Sequence, residues 1–179
     1  MRLFAALDLP EPMRARLAAL QAGLPEGRLT TPENLHLTLA FFGEAGAREA
    51  EELHAALGRV KAAPFDLWID GTGAFGGAKP RLLFAAARPD PALARLHEKV
   101  EQAGRDAGFP RPAERYRPHV TLKRLHPGEM SAARAARWLE ATGAALIGPA
   151  RIGEFVLFRS TLGHARPVYE PLARYALFG

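Results

Sequence analysis

NLHLTLAF (residues 34–41) alternates apolar and polar side chains, which predicts a β-strand with one buried face. Its leucines would pack into the core, while His36 and Thr38 would project together from the opposite face. A half-exposed strand face needs no special explanation, so one such pair would be weak evidence of chemistry.

The same pattern returns in RPHVTLKR (residues 117–124), where His119 and Thr121 share the polar face of a second predicted strand. A repeated His-x-Thr pattern in two equivalent strands is much stronger evidence than a single copy. If the two strands lie side by side, two imidazoles and two hydroxyls meet in one cleft.

The surrounding elements repeat as well. A strand, a helix, a His-x-Thr strand, a helix and a strand occur once over about residues 2–77 and again over 81–163. A last strand at 168–178 has no counterpart in the first half. We therefore expect residues 1–179 to form a single bilobal domain that arose by internal duplication, with its two lobes in contact.

The composition limits the classes of function. The chain has 179 residues, no cysteine and a formal net charge of +5. Disulfides and thiolate metal sites are thereby excluded, and the positive charge favours an anionic partner such as nucleic acid or a phosphate ester. The sequence holds no apolar run long enough for a membrane helix, and Asp8 comes too early for a signal peptide. We expect a cytoplasmic protein.

Two facing histidines suit general acid–base catalysis at phosphorus. One imidazole would take a proton from the nucleophile and the other would give one to the leaving oxygen. Thr38 and Thr121 would donate hydrogen bonds to non-bridging phosphate oxygens. A zinc site is the competing interpretation, but it would need a third ligand, and neither motif carries a nearby Asp, Glu or Cys on its polar face. We predict no metal.

Four further residues are candidates for substrate binding. Strict alternation puts Arg124 on the face opposite His119, so it reaches the cleft only if the strand twists, bulges or ends there. Arg117 flanks the strand entrance and could contact a phosphate backbone. Tyr116 and Phe41 could stack on a base, although core packing is favoured for Phe41 and for its neighbour Phe42.

The other histidines carry weaker signals. His54 and His97 lie within predicted helices among charged neighbours, which indicates solvated side chains. His126 and His164 lie in predicted turns, where they could reach the rim of the cleft.

Three segments together resemble a known family: ENLHLTLAFFGE (33–44), RPHVTLKR (117–124) and FVLFRSTLGHARPVYEPLARYALF (155–178). The chain is similar to the two-histidine phosphoesterase superfamily, and within it to the RNA 2′,3′-cyclic phosphodiesterases, formerly called 2′-5′ RNA ligases. The resemblance runs along the whole chain. It implies an α+β fold of two pseudo-symmetric lobes, each an antiparallel sheet with helices, around a central cleft.

The resemblance also implies an activity: hydrolysis of an RNA 2′,3′-cyclic phosphate to a 2′-phosphomonoester, without metal or other cofactor. By this analogy His36 donates a proton to the leaving 3′ oxygen, His119 activates water, and Thr38 and Thr121 hold the phosphate. Some family members also join or cleave 2′-5′ linkages in tRNA halves. Lys123 departs from the small residue that is common in the family, and we expect it to lean into solvent.

The expected partner is RNA that ends in a 2′,3′-cyclic phosphate, or tRNA halves, and we expect a monomer without membrane contact. Two alternatives stay open. The protein could be a basic RNA-binding module without turnover, although arginines would serve binding better than histidines. It could also be a phosphodiesterase for a small cyclic-phosphate nucleotide, which the net positive charge disfavours slightly.

Overall fold

The computed structural model describes residues 1–25, 28–110, 115–162 and 167–178. Within these residues the chain forms a mixed α and β structure with one short 3₁₀ turn at Pro32–Asn34. The strands are β1 (Arg2–Asp8), β2 (His36–Glu44), β3 (Phe65–Phe75), β4 (Leu82–Ala87), β5 (His119–Arg124), β6 (Leu146–Ile152), β7 (Glu154–Leu162) and β8 (Pro167–Ala176). The helices are α1 (Glu11–Ala19), α2 (Ala47–Leu57), α3 (Pro91–Asp106) and α4 (Ala132–Thr142).

The strands form one antiparallel sheet in the order β6-β3-β4-β5-β2-β1-β7-β8. Within the described part of the chain, the two halves of this sheet join where β2 runs beside β5, through the residue pair Leu37 and Val120. The predicted α+β class with two antiparallel lobes is therefore confirmed, and the cleft between the lobes lies at a seam inside a continuous sheet.

The third strand of each predicted repeat crosses to the other lobe. β3 pairs with β4, while β7 pairs with β1. Read outward from the seam, β2-β1-β7 and β5-β4-β3 therefore take equivalent places. A duplicated chain whose halves exchange one strand would give this order, but the duplication itself, with halves near 2–77 and 81–163, stays a prediction.

The apolar face of the central strands is fully buried. Leu37 and Leu39 of β2, and Val120 and Leu122 of β5, are each at most 1% exposed. Each buried side chain of this size stabilises the fold by roughly 1.5–3 kcal/mol. Because side chains alternate along a strand, this burial fixes His36 and its companions on the opposite face, where the cleft opens.

Helix α3 begins as its sequence indicates. The side chain of Asp90 accepts hydrogen bonds from the backbone N–H groups of Ala92 and Leu93, and Pro91 occupies the first turn. Leu93, Leu96 and Val100 bury one face of the helix. Within the described residues, no helix is both long and apolar enough to span a membrane.

Candidate active site

The pairing of β2 with β5 brings the two motifs together. Leu37 lies opposite Val120, so the antiparallel register places His36 beside Thr121 and Thr38 beside His119. Directly opposite side chains have Cβ atoms roughly 4.5–5.5 Å apart, and diagonal neighbours are roughly 7–8 Å apart. The two imidazoles stand on such a diagonal, which leaves room between them for a phosphate group.

Both imidazoles are oriented by the same local hydrogen bond. His36 Nδ1 lies 2.7 Å from the backbone oxygen of Asn34, and His119 Nδ1 lies 2.6 Å from that of Arg117. A carbonyl oxygen only accepts, so each Nδ1 carries the hydrogen. In the neutral rings Nε2 is therefore the nitrogen with a free lone pair, as a general base requires.

Aromatic rings surround each histidine. The His36 ring contacts Phe4 at 5.1 Å and Tyr169 edge-on at 5.2 Å, measured between centroids. The His119 ring contacts Phe75 at 5.1 Å and Phe84 at 5.3 Å. These rings fix the position of both imidazoles and withdraw them from water.

This burial lowers the pKa of both imidazoles. Burial lowers the pKa of His36 to about 4, against the opposing effect of the hydrogen bond to Asn34, and the charge of Arg124 lowers it further. The pKa of His119 is also lowered, first by burial and then by the charges of Arg124 and Arg117. Both rings are therefore neutral at pH 7 in the free protein.

Each central strand contains a β-bulge three residues after its histidine. Along β2 the pairing with β1 shifts at Leu39, and along β5 the pairing with β4 shifts at Leu122. The bulge turns the next residues over, so that Phe41 and Arg124 return to the polar face and line the same cavity as the histidines. The strict alternation assumed for β5 therefore breaks at the bulge. Arg124 reaches the cleft, as expected if the strand bulges.

Phe41 and Phe42 have different environments. Phe42 packs in the core, as predicted, and is 8% exposed. Phe41 is 59% exposed at the cleft, so the favoured core assignment is wrong for this residue. The bulge is the physical reason, because it turns the Phe41 side chain away from the buried face.

Two side chains from outside the motif support the bulge of β2. His97 Nδ1 donates to the backbone oxygen of Leu39 at 2.8 Å, and the Tyr116 hydroxyl donates to that of Thr38 at 3.2 Å. The two rings stack with centroids 3.6 Å apart. The sequence predicted a solvated His97 side chain, and this prediction is wrong. His97 binds a carbonyl that the bulge withdraws from the regular ladder.

His54 and His126 line neither of the two cavities beside the motifs. His54 Nδ1 hydrogen-bonds the Tyr175 hydroxyl at 2.8 Å, so it is also more than a solvated side chain. His126 is exposed in a turn. His164 lies outside the described residues.

Lys123 does not lean into solvent, although the sequence predicted that it would. Its side chain is completely buried, and Nζ pairs with Glu129 Oε1 at 2.7 Å. It points away from the cleft because the bulge places two consecutive residues, Leu122 and Lys123, on the core side. The pKa of Glu129 is lowered, chiefly by the hydrogen bond from Lys123. The extra charge is thus an internal ion pair and does not touch substrate.

Two cavities meet at the motifs. The phosphate cavity, of about 480 Å³, is lined by both histidines, both threonines and Arg124. The side cavity, of about 590 Å³, lies beyond His119. Thr38, Phe41 and His119 line both cavities. Tyr116 and Arg117 line the side cavity and not the phosphate cavity, and the Arg117 guanidinium lies 5.4 Å from the centre of the Phe75 ring.

Several residues that line the two cavities were not predicted from the sequence. Arg2, Phe4 and Tyr169 line the phosphate cavity, and Glu101 lines the side cavity. A helical period links Glu101 to His97 one turn earlier on α3, which is the only sequence signal for it. Nowhere in the described ranges do three or more His, Cys, Asp or Glu side chains cluster in a way that could hold a metal ion.

Comparison with known proteins gives consistent results. The family model described as the 2′-5′ RNA ligase superfamily matches residues 6–163. Proteins named RNA 2′,3′-cyclic phosphodiesterase are 36% identical in Thermus thermophilus, over 100% of this chain and 91% of the relative, and 31% identical in Escherichia coli, over 98% and 96%. The crystal structure of E. coli LigT complexed with 3′-AMP has a TM-score of 0.78 and 29% identity, covering 99% of this chain and 98% of that one.

Proposed function

Because the chain belongs to the 2′-5′ RNA ligase superfamily, we propose that it is a phosphodiesterase that opens RNA 2′,3′-cyclic phosphate ends to 2′-phosphomonoesters. The observation that carries the proposal is the phosphate cavity, where both Nδ1-anchored imidazoles stand beside two threonine hydroxyls and Arg124. The names of the relatives support the same reaction class.

In this proposal the two histidines act on opposite sides of the phosphorus atom. His119 Nε2 takes a proton from a water molecule, whose oxygen forms the new bond to phosphorus. His36 Nε2–H donates its proton to the 3′ oxygen as the bond between phosphorus and that oxygen breaks. The water is consumed, and the product keeps its phosphate on the 2′ oxygen.

Thr38, Thr121 and Arg124 would stabilise the charged phosphate. The hydroxyls donate to non-bridging oxygens, and the guanidinium balances the charge that accumulates in the transition state. His36 must hold a proton at the start, although its pKa in the free protein is only about 4. The phosphate anion, once bound, favours the protonated imidazole and raises this pKa.

The two strands differ in the residue that lies opposite each histidine. The carboxylate residue Asp8 lies opposite His36 in the β1–β2 register, whereas Ala86 lies opposite His119. The charge of Asp8 raises the pKa of His36 against the larger effect of burial. Asp8 is also paired with Arg14 and Arg174, so its effect on His36 is small. We assign the acid to His36 and the base to His119 by the family resemblance.

The finer proposals concern substrate and context. We propose RNA ends as the natural substrate, since the chain is basic, and we propose that the protein acts as a monomer in the cytoplasm. Joining of tRNA halves would be the reverse type of reaction at the same site. A small cyclic-phosphate nucleotide is the second candidate, favoured by the complex of E. coli LigT with 3′-AMP.

The test uses a short RNA that ends in a 2′,3′-cyclic phosphate, incubated in EDTA with the wild type and with His36→Ala, His119→Ala and His126→Ala. We expect a 2′-phosphate product from the wild type and from His126→Ala, whose side chain is exposed in a turn away from the motifs. RNA binding without ring opening by the wild type would contradict the proposal. A nucleoside 2′,3′-cyclic phosphate is tested in parallel. Faster ring opening of this mononucleotide than of the RNA would favour a small cyclic-phosphate nucleotide as the substrate.

A further inference from the structure

The side cavity differs in chemistry from the phosphate cavity. Its walls are mainly apolar and aromatic, with Phe41, Phe75 and Tyr116 among them. Arg115 and Arg117 add positive charge. A volume of about 590 Å³ lies within the range of small-molecule sites, which typically combine apolar walls with a few placed polar groups.

One buried carboxylate faces this cavity. Glu101 is 7% exposed, although it is charged and lies on a helix that buries mainly leucine and valine. Among residues 1–25, 28–110, 115–162 and 167–178, no group makes a hydrogen bond or an ion pair with it, and its oxygens are not among the fully buried polar atoms without a partner. The Glu101 oxygens are therefore open to the cavity, where they are available to accept hydrogen bonds from a ligand that supplies donors.

Two polar neighbours of Glu101 already make hydrogen bonds elsewhere. His97, one turn earlier on α3, uses Nδ1 for the Leu39 carbonyl, and the Tyr116 hydroxyl donates to the Thr38 carbonyl. Both side chains are therefore committed to the backbone of β2. The carboxylate remains an acceptor at the wall of an aromatic cavity.

An ionised carboxylate is acceptor-only, with two oxygens side by side. Of the four RNA bases, guanine alone presents two adjacent donors, N1–H and the 2-amino group, on one edge. We propose that the side cavity binds a guanine base of the substrate and that Glu101 accepts hydrogen bonds from this edge. Glu101 would then determine base specificity for the reaction proposed above, on which this inference rests.

The position of the cavity fits this role. Thr38, Phe41 and His119 form the boundary that it shares with the phosphate cavity. A base in the side cavity therefore leaves its ribose and cyclic phosphate at the two motifs. Arg115 and Arg117 lie where the adjoining RNA backbone would pass.

The test compares guanosine 3′-monophosphate with inosine 3′-monophosphate, which lacks only the 2-amino group. Calorimetry with the wild type should show guanosine bound at least about tenfold more tightly, the usual worth of a bidentate base contact. Glu101→Gln should reduce that ratio to within about twofold. Glu98→Gln is the matched control, since Glu98 lies exposed on the same helix outside the side cavity.

Equal binding of the two nucleotides by the wild type would overturn the proposal, and this comparison involves no variant that could misfold. An unchanged ratio in Glu101→Gln would overturn it as well. Turnover of the two cyclic phosphates is measured separately. If neither is opened while the binding ratio holds, the proposed reaction fails and the guanine site stands.

Discussion

The two halves of the site share a design and differ in chemistry. Both β2 and β5 begin at a histidine whose Nδ1 is anchored to a carbonyl two residues earlier, and both bulge after the threonine. At the fifth position after the histidine, however, one strand has Phe41 and the other has Arg124. At the fourth, one has the small Ala40 and the other has Lys123.

These differences give the two equivalent strands different side chains in the cleft and in the core. The bulge sends the fifth residue into the cleft and the fourth into the core. The β2 strand therefore offers the substrate an aromatic ring, and the β5 strand offers a cation. The same backbone geometry thus places a symmetric pair of histidines among asymmetric neighbours.

The largest effect should come from the histidines themselves. His36→Ala and His119→Ala should each lower kcat about 10²–10⁴-fold, the usual contribution of a general acid or base. The two variants should differ in their rates on a nucleotide 4-nitrophenyl ester, because 4-nitrophenolate leaves without taking up a proton. We expect this substrate to restore much of the rate of His36→Ala and little of that of His119→Ala, measured by nitrophenol release. Rescue of His119→Ala alone would reverse the assignment of acid and base.

The fourth position offers the next test. Glu129→Gln removes the Glu129 carboxylate from the fully buried Lys123 ammonium, which should reduce the free energy of unfolding by about 3 kcal/mol. Lys123→Met should cost much less, since Glu129 is partly exposed and can be hydrated. Urea denaturation of both variants measures the difference. Equal losses would show that Lys123 is not a buried charge that depends on Glu129.

The fifth position should separate charge from stacking. Arg124→Gln should lower kcat/KM about 10- to 10²-fold, the range for losing a hydrogen bond to a charged group. Phe41→Ala should lower it only severalfold, and mainly through KM, because the ring contacts substrate without meeting the developing charge. Steady-state kinetics on the cyclic-phosphate RNA provide the measurement. A larger loss in Phe41→Ala would mean that base stacking outweighs phosphate neutralisation here.

The motifs and their chemistry could be predicted because alternation is a local signal. Side chains two residues apart in a strand share a face, whatever the rest of the chain does. The repetition of this signal in His36–Thr38 and His119–Thr121 then identified the site. The pairing of β2 with β5 agrees with the expectation of a shared cleft.

The bulges could not be read in the same way. Leu39-Ala40 and Leu122-Lys123 each put two consecutive residues into the core, and Lys123 looks like a surface residue until Glu129 is placed beside it. Long-range pairing was equally hidden. Strand β6 contains Gly148-Pro149, which weakens a strand signal, and the exchange of β3 and β7 between lobes has no local signature.

The smallest predicted effect is also the most specific, because it separates the two imidazoles by their electrostatic neighbours. Both pKa values in the free protein lie below 6.5, and that of His36 is about 4, so kcat/KM should decline on both sides of an optimum below neutrality. The cation Arg124 disfavours both imidazolium forms, so Arg124→Gln should raise both pKa values and move both limbs of the profile to higher pH. The shift should be small, since burial is the larger cause of the lowered pKa for each ring. Arg117 lowers the pKa of His119, whereas the charges acting on His36 are those of Arg124, His119 and Asp8. Arg117→Gln should therefore move a single limb, and movement of both limbs by equal amounts would mean that the two histidines titrate as one coupled pair.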